Sequence, residues 1–212
     1  MKERFQSFTG VAAPLPVANV DTNQLCPTRF NKRPHGAEFA RILFHDLRFE
    51  LDGTEKTDFV LNQDPYRKAQ ILVAGRNFGC GSSRESAVIG LAYFGIRCVI
   101  APSFGDIFFN NCFRHSVLPV RMPATVVDTI LRQLQTAVGA QIGVDLEKQT
   151  VTPPDGETHA FDIHPLRKRF LAEGIDEIDV TLEYRTRIES FEAERRRAMP
   201  WVRPRRLEQE VS

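Results

Sequence analysis

The middle of the chain alternates short, continuous apolar runs with a segment in which apolar residues recur at helical spacing. Gln70 to Gly75 (QILVAG) and Arg97 to Ala101 (RCVIA) are short runs with β-branched residues, which is typical of buried strands. Between them, Ser83 to Phe94 (SRESAVIGLAYF) carries apolar residues three and four positions apart, and Gly95 ends the pattern. A strand, a short helix and a second strand with tight connections predict a βαβ unit, and therefore a parallel pair of strands in an α/β fold.

Similar patterns extend on both sides of this unit. We expect a strand and turn at the beginning, then a helix, a strand, an amphipathic helix, a hairpin and two further helices. In chain order, these elements are Phe5–Val20, Phe104–Phe113, Val117–Arg121, Ala124–Val138, Ile142–Thr152 paired with Thr158–Ile163 around Pro153–Gly156, Pro165–Glu173 and Ile188–Ala198.

One long segment shows no regular pattern. Asp21 to Arg41 (DTNQLCPTRFNKRPHGAEFAR) is polar and basic, and Pro27, Pro34 and Gly36 interrupt regular structure. The segment therefore predicts a long loop. Long loops inside compact domains are often functional, but a mobile surface connector fits this composition equally well.

Composition narrows the classes of protein to which the chain can belong. Its 212 residues, 42% of them hydrophobic, suit one domain, or one domain with an appended element, with a core that needs no disulfides. The 28 basic and 27 acidic residues leave a net charge of +1, which argues against nucleic acid as the main partner. No apolar run reaches membrane-spanning length, so no membrane association is expected. We expect residues 1–202 to form the domain and the basic residues 203–212 to be a disordered tail.

Four cysteines are spread along the chain, at positions 26, 80, 98 and 112. They form no CxxC pair and no zinc-type histidine spacing accompanies them, so we expect no metal site on this chain. So few cysteines in a chain of this length are typical of reduced thiols, and the first residues lack the apolar run of a signal peptide. The expected location is the cytoplasm.

The densest polar signal is RNFGCGSSRES, which lies between the predicted strand and helix. Ser82 stands where a helix N-cap belongs, and Glu85 three residues later completes a capping-box pattern. Free N–H groups and the helix dipole at such an end favour anions, and the two glycines let a ligand approach the backbone. Arg84 can bind a carboxylate through two hydrogen bonds. The segment predicts a site for a small carboxylate or phosphate; in the alternative, Ser82 only caps the helix and Arg84 faces solvent.

Other chemistries of glycine-rich segments fit less well. A dinucleotide-binding fingerprint would need glycine at position 84, and a Walker loop would need a Gly-Lys-Ser/Thr run, which is absent. Cys80 would be a nucleophile only with a histidine beside it, which the sequence does not reveal. A structural thiol is the simpler interpretation.

The same segment closely resembles a known family. NFGCGSSRES, followed by GLAYFGIRCVIAPSFGDIFFNNC, is similar to the small subunit of bacterial 3-isopropylmalate dehydratases, which is homologous to the swivelling domain of aconitase. The stretches FTGVAAPLPVANVDTNQLCPTRFNKR and DFVLNQDPYRKAQILVAG resemble the family's beginning and its lead into the glycine loop. The resemblance extends from about Phe5 to Arg197. It implies a swivelling β/β/α domain with a parallel βαβ unit around the active-site loop.

The resemblance also implies an activity and a partner. The family's enzymes are hydro-lyases of leucine biosynthesis, in which water leaves 2-isopropylmalate and returns one carbon over to give 3-isopropylmalate. A large subunit, joined in a heterodimer or heterotetramer, carries the [4Fe–4S] cluster that takes the departing hydroxyl. No cofactor is therefore expected on this chain, which agrees with its scattered cysteines.

By the same resemblance, individual residues receive roles. Ser82 would be the base that removes a proton next to a carboxylate of the small dicarboxylate substrate, and Ser83 and Arg84 would hold that carboxylate. The loop from Cys26 to Arg41 resembles the family's substrate-selecting loop. The candidates in it for a second cation, because the substrate has two carboxylates, are Arg29, Lys32 and Arg33.

The chain departs from the family pattern at three positions. Asn23 stands where the family usually has aspartate, Cys26 where it has an aliphatic residue, and Ser86 where it has histidine. Two alternatives stay open: the same chemistry on a related malate such as methylmalate or citraconate, and a non-catalytic paralogue that only binds carboxylate. The intact Ser82 and Arg84 speak against the non-catalytic alternative.

Overall fold

The computed structural model describes residues 4–34, 36–82 and 84–202 of the chain. It divides the protein into two compact units, Met1–Gly174 and Ile175–Ser212. The expected domain boundary at residue 202 stays a prediction, and the expected tail, residues 203–212, lies outside the described residues. The candidate site residue Ser83 also lies outside them.

A mixed seven-stranded sheet runs through the first unit. Its strands are β1 (Phe8–Leu15), β2 (Ile71–Ala74), β3 (Cys98–Ala101), β4 (Leu118–Arg121), β5 (Gln141–Asp145), β6 (Thr150–Thr152) and β7 (His159–Ala160). Their order across the sheet is β4-β3-β2-β1-β5-β6-β7. Neighbours from β4 to β1 pair in parallel, whereas the pairs from β1 to β7 are antiparallel. The parallel pairing of β2 with β3 confirms the predicted βαβ unit and the α/β class.

Helices lie between the strands of the first unit and after its last strand. They are α1 (Thr22–Leu25), α2 (Phe39–Ile42), α3 (His45–Arg48), α4 (Glu85–Phe94), α5 (Asp106–Arg114), α6 (Ala124–Thr136) and α7 (Pro165–Glu173). Helix α6 packs on β1, β2 and β3, and α5 packs on β4. Every residue of β2 and β3 is buried, which explains why both strands appear in the sequence as continuous apolar runs.

The structure corrects the predicted hairpin in one respect. The first predicted strand, residues 142–152, is two strands, β5 and β6, joined by a tight turn. In this turn Gln149 has a φ of +56°, and the Asp145 carboxylate accepts a 2.9 Å hydrogen bond from the Lys148 N–H. A side chain that binds the backbone a few residues ahead favours a turn, and the apolar pattern alone does not reveal it. The hairpin of β6 and β7 around Pro153–Gly156 is confirmed.

The predicted long loop contains short helices, so its description as irregular is partly wrong. Asp21 starts α1 with a capping box: its carboxylate accepts from the N–H groups of Asn23 and Gln24, and the Gln24 side chain accepts from the Asp21 N–H. A 3₁₀ turn follows at Thr28–Phe30, and α2 begins at Phe39. Helices of three or four residues are too short to show an apolar repeat, so periodicity missed them.

The second unit contains α8 (Glu177–Leu182) and α9 (Arg185–Ala198). Helix α9 confirms the predicted final helix but begins three residues before the predicted start at Ile188, and α8 escaped the sequence prediction. Neither helix buries a residue, and large side chains such as Phe191 and Trp201 are exposed. In the part of the chain that the structure describes, every helix is too short or too polar to cross a membrane.

Candidate active site

The glycine-rich turn, residues 76–82, continues the sheet beyond the end of β2. On one side it runs parallel to the residues that follow β1. The Gly79 N–H donates to the Val20 carbonyl at 2.7 Å, and the Thr22 N–H donates to the Cys80 carbonyl at 3.0 Å. Because the carboxyl ends of parallel strands meet at one edge of a sheet, the segments after β1 and β2 come together here.

On its other side the glycine-rich turn pairs with the residues that follow β3. The Phe78 N–H donates to the Ser103 carbonyl at 3.0 Å, and the Gly105 N–H donates to the Phe78 carbonyl at 2.9 Å. The buried Phe78 ring packs edge-on against Phe108, with the ring centroids 5.4 Å apart. The turn is thus held between two backbone neighbours, which fix its path.

Two glycines give the turn its shape. Gly79 has a φ of +71°, and a Cβ at this position would lie 2.2 Å from Cγ of Phe108, so both the dihedral angle and the space exclude a side chain. Gly81 has a φ of +88°, but a Cβ there would be 3.6 Å from its nearest neighbour, Cβ of Asp21. At Gly81, then, the dihedral angle rather than the space requires glycine.

The predicted capping box at Ser82 is wrong. Helix α4 begins at Glu85, and its N-cap is Arg84, whose backbone is extended and whose side chain makes no capping hydrogen bond. Ser82 is exposed, and its carbonyl accepts a 2.7 Å hydrogen bond from the Thr22 hydroxyl. The Glu85 carboxylate lies 2.8 Å from Nε2 of His115 instead of reaching back to the turn. The positive φ angles of the glycines direct Ser82 toward α1, so the alternative in which Ser82 only caps the helix also fails.

Arg84 is half-buried and directs its guanidinium at neutral acceptors. Its Nη1 donates to Oδ1 of Asn23 and, at 3.3 Å, to the carbonyl of Cys26. The same Asn23 oxygen accepts a 3.0 Å hydrogen bond from the Thr28 hydroxyl. Because amide and carbonyl oxygens carry no net charge, these contacts orient Arg84 without neutralising it. Its positive charge is available to a carboxylate.

The other predicted cations have different surroundings. Arg29 makes a two-point ion pair with the Asp46 carboxylate, in which Nη1 lies 2.9 Å from Oδ2. The hydrogen bonds from Arg29 lower the pKa of Asp46 to about 2 and raise the pKa of Arg29. Lys32 and Arg33 are exposed, and the Arg33 guanidinium lies 5.0 Å from the centroid of the Phe30 ring. Of the three candidates, Arg29 therefore has its charge compensated by a carboxylate.

The three positions at which the chain departs from the family pattern lie in one contact cluster. Asn23 and Cys26 contact Arg84, and Ser86 lies two residues beyond it in the first turn of α4. The buried Ser86 hydroxyl donates to Oδ1 of Asn31 at 3.0 Å, and the Cys26 thiol lies 3.9 Å from that same oxygen. Burial raises the pKa of the Cys26 thiol, and a hydrogen bond with Ser86 and the charge of Arg84 oppose that rise. The sequence did not identify Asn31 as a residue of this cluster. The one signal was its position between Arg29 and Lys32 in a basic segment.

The donor groups of the described residues do not fit an iron–sulfur cluster. Among residues 4–34, 36–82 and 84–202, no three His, Cys, Asp or Glu side chains are grouped so that they could hold a metal ion. All four cysteines are free thiols, and Cys26, Cys98 and Cys112 are buried. Burial raises the pKa of the Cys98 and Cys112 thiols, which opposes the thiolate form that binds iron.

Comparison with known families defines the class of the protein. Residues 2–125 match the family model of the aconitase C-terminal domain. Together with the mixed sheet and the glycine-rich turn, this match identifies an aconitase-type α/β domain. Residues 128–165 match the model LeuD_N, and residues 177–205 match the model for the C-terminal domain of the 3-isopropylmalate dehydratase small subunit.

Individual relatives narrow this class to one family. The chain is 50% identical over 200 residues to the 3-isopropylmalate dehydratase small subunit of Roseobacter denitrificans, over 94% of this chain and 100% of the relative. It is 50% identical over 199 residues to the small subunit of Gluconacetobacter diazotrophicus, over 94% and 96% of the two chains. The crystal structure of the 3-isopropylmalate dehydratase LeuD from Methanocaldococcus jannaschii aligns with a TM-score of 0.62 and 26% identity, over 88% of this chain and 99% of that one. This chain belongs to the 3-isopropylmalate dehydratase small subunit family, which confirms the resemblance and the expected fold.

Proposed function

We propose that this chain is the small subunit of a hydro-lyase of leucine biosynthesis that isomerises 2-isopropylmalate to 3-isopropylmalate by dehydration and rehydration. The observation that carries the proposal is Arg84, which neutral acceptors orient beside the glycine-rich turn so that its full charge is available. A substrate with two carboxylates suits such a cation. The family named for this reaction provides the reaction class.

In this proposal Arg84 binds one substrate carboxylate and Ser82 moves the proton. Ser82 acts as an alkoxide: its oxygen takes a proton from the carbon next to the carboxylate and becomes a hydroxyl, the C–H electrons form the double bond, and hydroxide leaves the neighbouring carbon. In rehydration the hydroxide adds to the carbon that lost the proton, and the proton adds to the carbon that lost the hydroxide. Two observations support this role: Ser82 is exposed, so that a substrate can reach its hydroxyl, and the backbone of its turn is fixed by hydrogen bonds.

Further side chains complete the proposed substrate site. We propose that Ser83 contacts the same carboxylate as Arg84, and that Lys32 and Arg33 supply positive charge to the second carboxylate. Arg29 shares this basic segment, but its ion pair with Asp46 makes it the weakest of the three.

The proposed active enzyme contains a second chain. A large subunit, in a heterodimer or heterotetramer, would carry the [4Fe–4S] cluster, since the donor groups of the described residues do not fit one. Four free thiols support a cytoplasmic location, and the charge balance supports neither nucleic acid nor membrane as a partner. We also propose that residues 1–202 act as one functional domain in the assembly.

One observation favours a second candidate, the same chemistry on a related malate such as methylmalate. Asn23, Cys26 and Ser86, the three departures from the family pattern, all lie in the cluster around Arg84 and Asn31. A different substrate side chain would be accommodated by substitutions of this kind, which are concentrated beside the proposed carboxylate site. Rates for 2-isopropylmalate and 2-methylmalate with the same reconstituted enzyme distinguish the two candidates.

The proposal is tested by Ser82→Ala in the enzyme reconstituted with its large subunit. Loss of the proton-transferring oxygen should lower turnover by on the order of 100- to 10000-fold. Because Ser82 is exposed and caps no helix, the free energy of unfolding should change by less than about 0.5 kcal/mol. Steady-state kinetics and urea unfolding measure the two quantities. Ser7→Ala, another exposed serine, is the matched control, and a Ser82→Ala enzyme that retains more than a tenth of the turnover would refute the assigned role.

A further inference from the structure

The basic segment, residues 28–33 (TRFNKR), is fastened to the start of α4 by side-chain hydrogen bonds that bridge a long stretch of sequence. The Ser86 hydroxyl donates to Oδ1 of Asn31 at 3.0 Å. Asn31 immediately precedes Lys32 and Arg33, and Ser86 follows Arg84 by two residues. One hydrogen bond thus links the segment that carries the two exposed cations, Lys32 and Arg33, to the segment that carries the half-buried cation, Arg84.

The burial of Ser86 makes its hydrogen bond with Asn31 a structural requirement. Ser86 is buried, with 9% of its surface exposed, and a buried hydroxyl needs a hydrogen-bond partner. The Asn31 amide provides it, and the same oxygen lies 3.9 Å from the Cys26 thiol. Loss of Asn31 would deprive the buried Ser86 hydroxyl of this bond, whereas the exposed Asn31 amide can bond water when Ser86 is lost.

A second amide acts in parallel at the beginning of the segment. Oδ1 of Asn23 accepts from both Arg84 and the Thr28 hydroxyl, the latter at 3.0 Å. The basic segment is therefore fastened at Thr28 and at Asn31, and in both places an amide oxygen is the acceptor. A carboxylate in either place would add a negative charge beside the cations, whereas an amide does not.

We infer that Asn31 and Ser86 are a positioning pair that holds the cations of the basic segment at a fixed separation from Arg84, so that the two carboxylates of one substrate are bound together. The inference rests on the proposed function for its substrate. Neither residue touches the reacting atoms. Their contribution is preorganisation: without the bond, the segment must be ordered when substrate binds, and that ordering weakens binding.

A double-mutant cycle on the reconstituted enzyme tests this role. Ser86→Ala and Asn31→Ala should each raise KM for 2-isopropylmalate by roughly 3- to 10-fold with kcat kept within about twofold, since uniform binding is lost rather than transition-state binding. The KM of the double variant should be no higher than that of either single variant, because each single substitution already removes the same hydrogen bond. Ser7→Ala, whose hydroxyl bonds Asp145 at 3.2 Å, is the control for loss of a serine hydrogen bond elsewhere.

Limited trypsin digestion of the isolated full chain tests the fastening without any substrate. Cleavage after Arg29 and after Lys32, followed by mass spectrometry, should be roughly threefold faster or more in Ser86→Ala and Asn31→Ala than in Ser7→Ala, because the released segment opens more readily. Asn31→Asp keeps the acceptor oxygen and should be cleaved at the wild-type rate.

The combined outcomes separate this inference from the proposed function. Faster cleavage together with raised, non-additive KM values supports the inference. Unchanged cleavage, additive effects, or faster cleavage with unchanged KM would each overturn it. A wild-type enzyme that converts neither 2-isopropylmalate nor 2-methylmalate would defeat the proposed function and the positioning role with it, whereas the digestion would still decide the fastening on its own.

Discussion

The glycine-rich turn and the basic segment both border the candidate site, but different kinds of contact hold them. The turn is bonded on both sides through backbone groups, as in the pair from the Gly79 N–H to the Val20 carbonyl. The basic segment depends on side chains, with Asn31 bonded to Ser86 and Arg29 bonded to Asp46. One border of the site is therefore defined by the path of the chain and the other by the identity of a few residues.

This difference separates what can vary from what cannot. A backbone hydrogen bond survives most substitutions, so the turn should tolerate changes except where its dihedral angles require glycine. A side-chain bond disappears when either partner changes. The proposed substrate contacts on the basic segment can consequently change through one or two substitutions while the glycine-rich turn keeps its geometry. The three departures from the family pattern lie on or beside the basic segment.

The largest effect is expected from Gly79→Ala. The positive φ of +71° and the contact of the new Cβ with the Phe108 ring should together lower the free energy of unfolding by about 3–5 kcal/mol and abolish activity. Urea unfolding of the isolated chain measures the loss. Gly53→Ala is the matched control, because Gly53 has a φ of +85° with no atom near the new Cβ, and should cost about 1–2 kcal/mol. Equal losses in the two variants would contradict the tight packing of the turn.

An intermediate effect is expected from Arg84→Lys. Lysine keeps the charge but cannot reproduce the planar set of donors, so kcat/KM should fall by roughly 10- to 100-fold while the melting temperature changes little. Kinetics of the reconstituted enzyme and thermal unfolding are the measurements. Arg132→Lys, on the exposed face of α6, controls for the substitution itself. An unchanged kcat/KM would mean that Arg84 serves only its contacts with Asn23 and Cys26.

The smallest effect is expected from Asp46→Asn. Asp46 has a folded-state pKa of about 2, below its ordinary value of 3.8, so its ion pair stabilises the fold above about pH 4 and that contribution is lost as pH falls through about 2. Both partners are more than half exposed, and the loss at pH 7 should be under about 1 kcal/mol. Unfolding free energies at several pH values test this. Glu55→Gln, which breaks the exposed ion pair with Arg67, is the control. If KM rises in Asp46→Asn but not in Glu55→Gln, the ion pair of Arg29 with Asp46 also helps to position the basic segment.

Much of the fold could be predicted because its strands and longer helices have distinct apolar patterns. The buried runs of β2 and β3 and the helix between them appear in the sequence as they occur in the structure. The failures are local. Ser82 has the sequence pattern of a capping box, but two glycines with positive φ place it away from the helix, and a linear pattern does not contain those angles.

The sequence singles out the residues proposed for the site but not the contacts that they make. Arg84 and Ser82 stand out in a dense motif of eleven residues. The bond between Asn31 and Ser86 joins positions that no local spacing relates, and the Arg29 ion pair with Asp46 depends on how α3 folds back on the loop. Contacts of this kind follow from tertiary structure, so only the fold reveals which cation is compensated.

The position of β1 in the sheet has a consequence for folding during synthesis. Although β1 is the first strand to be synthesised, it lies inside the sheet, and its Phe8 pairs with Val144 of β5. One edge of this apolar strand therefore stays open on the ribosome until most of the first unit has been translated, and an open edge is a template for pairing with other chains. Contacts so distant in sequence also slow folding. Nascent chains that stall before β5 should thus be the species most prone to aggregate and most dependent on chaperones.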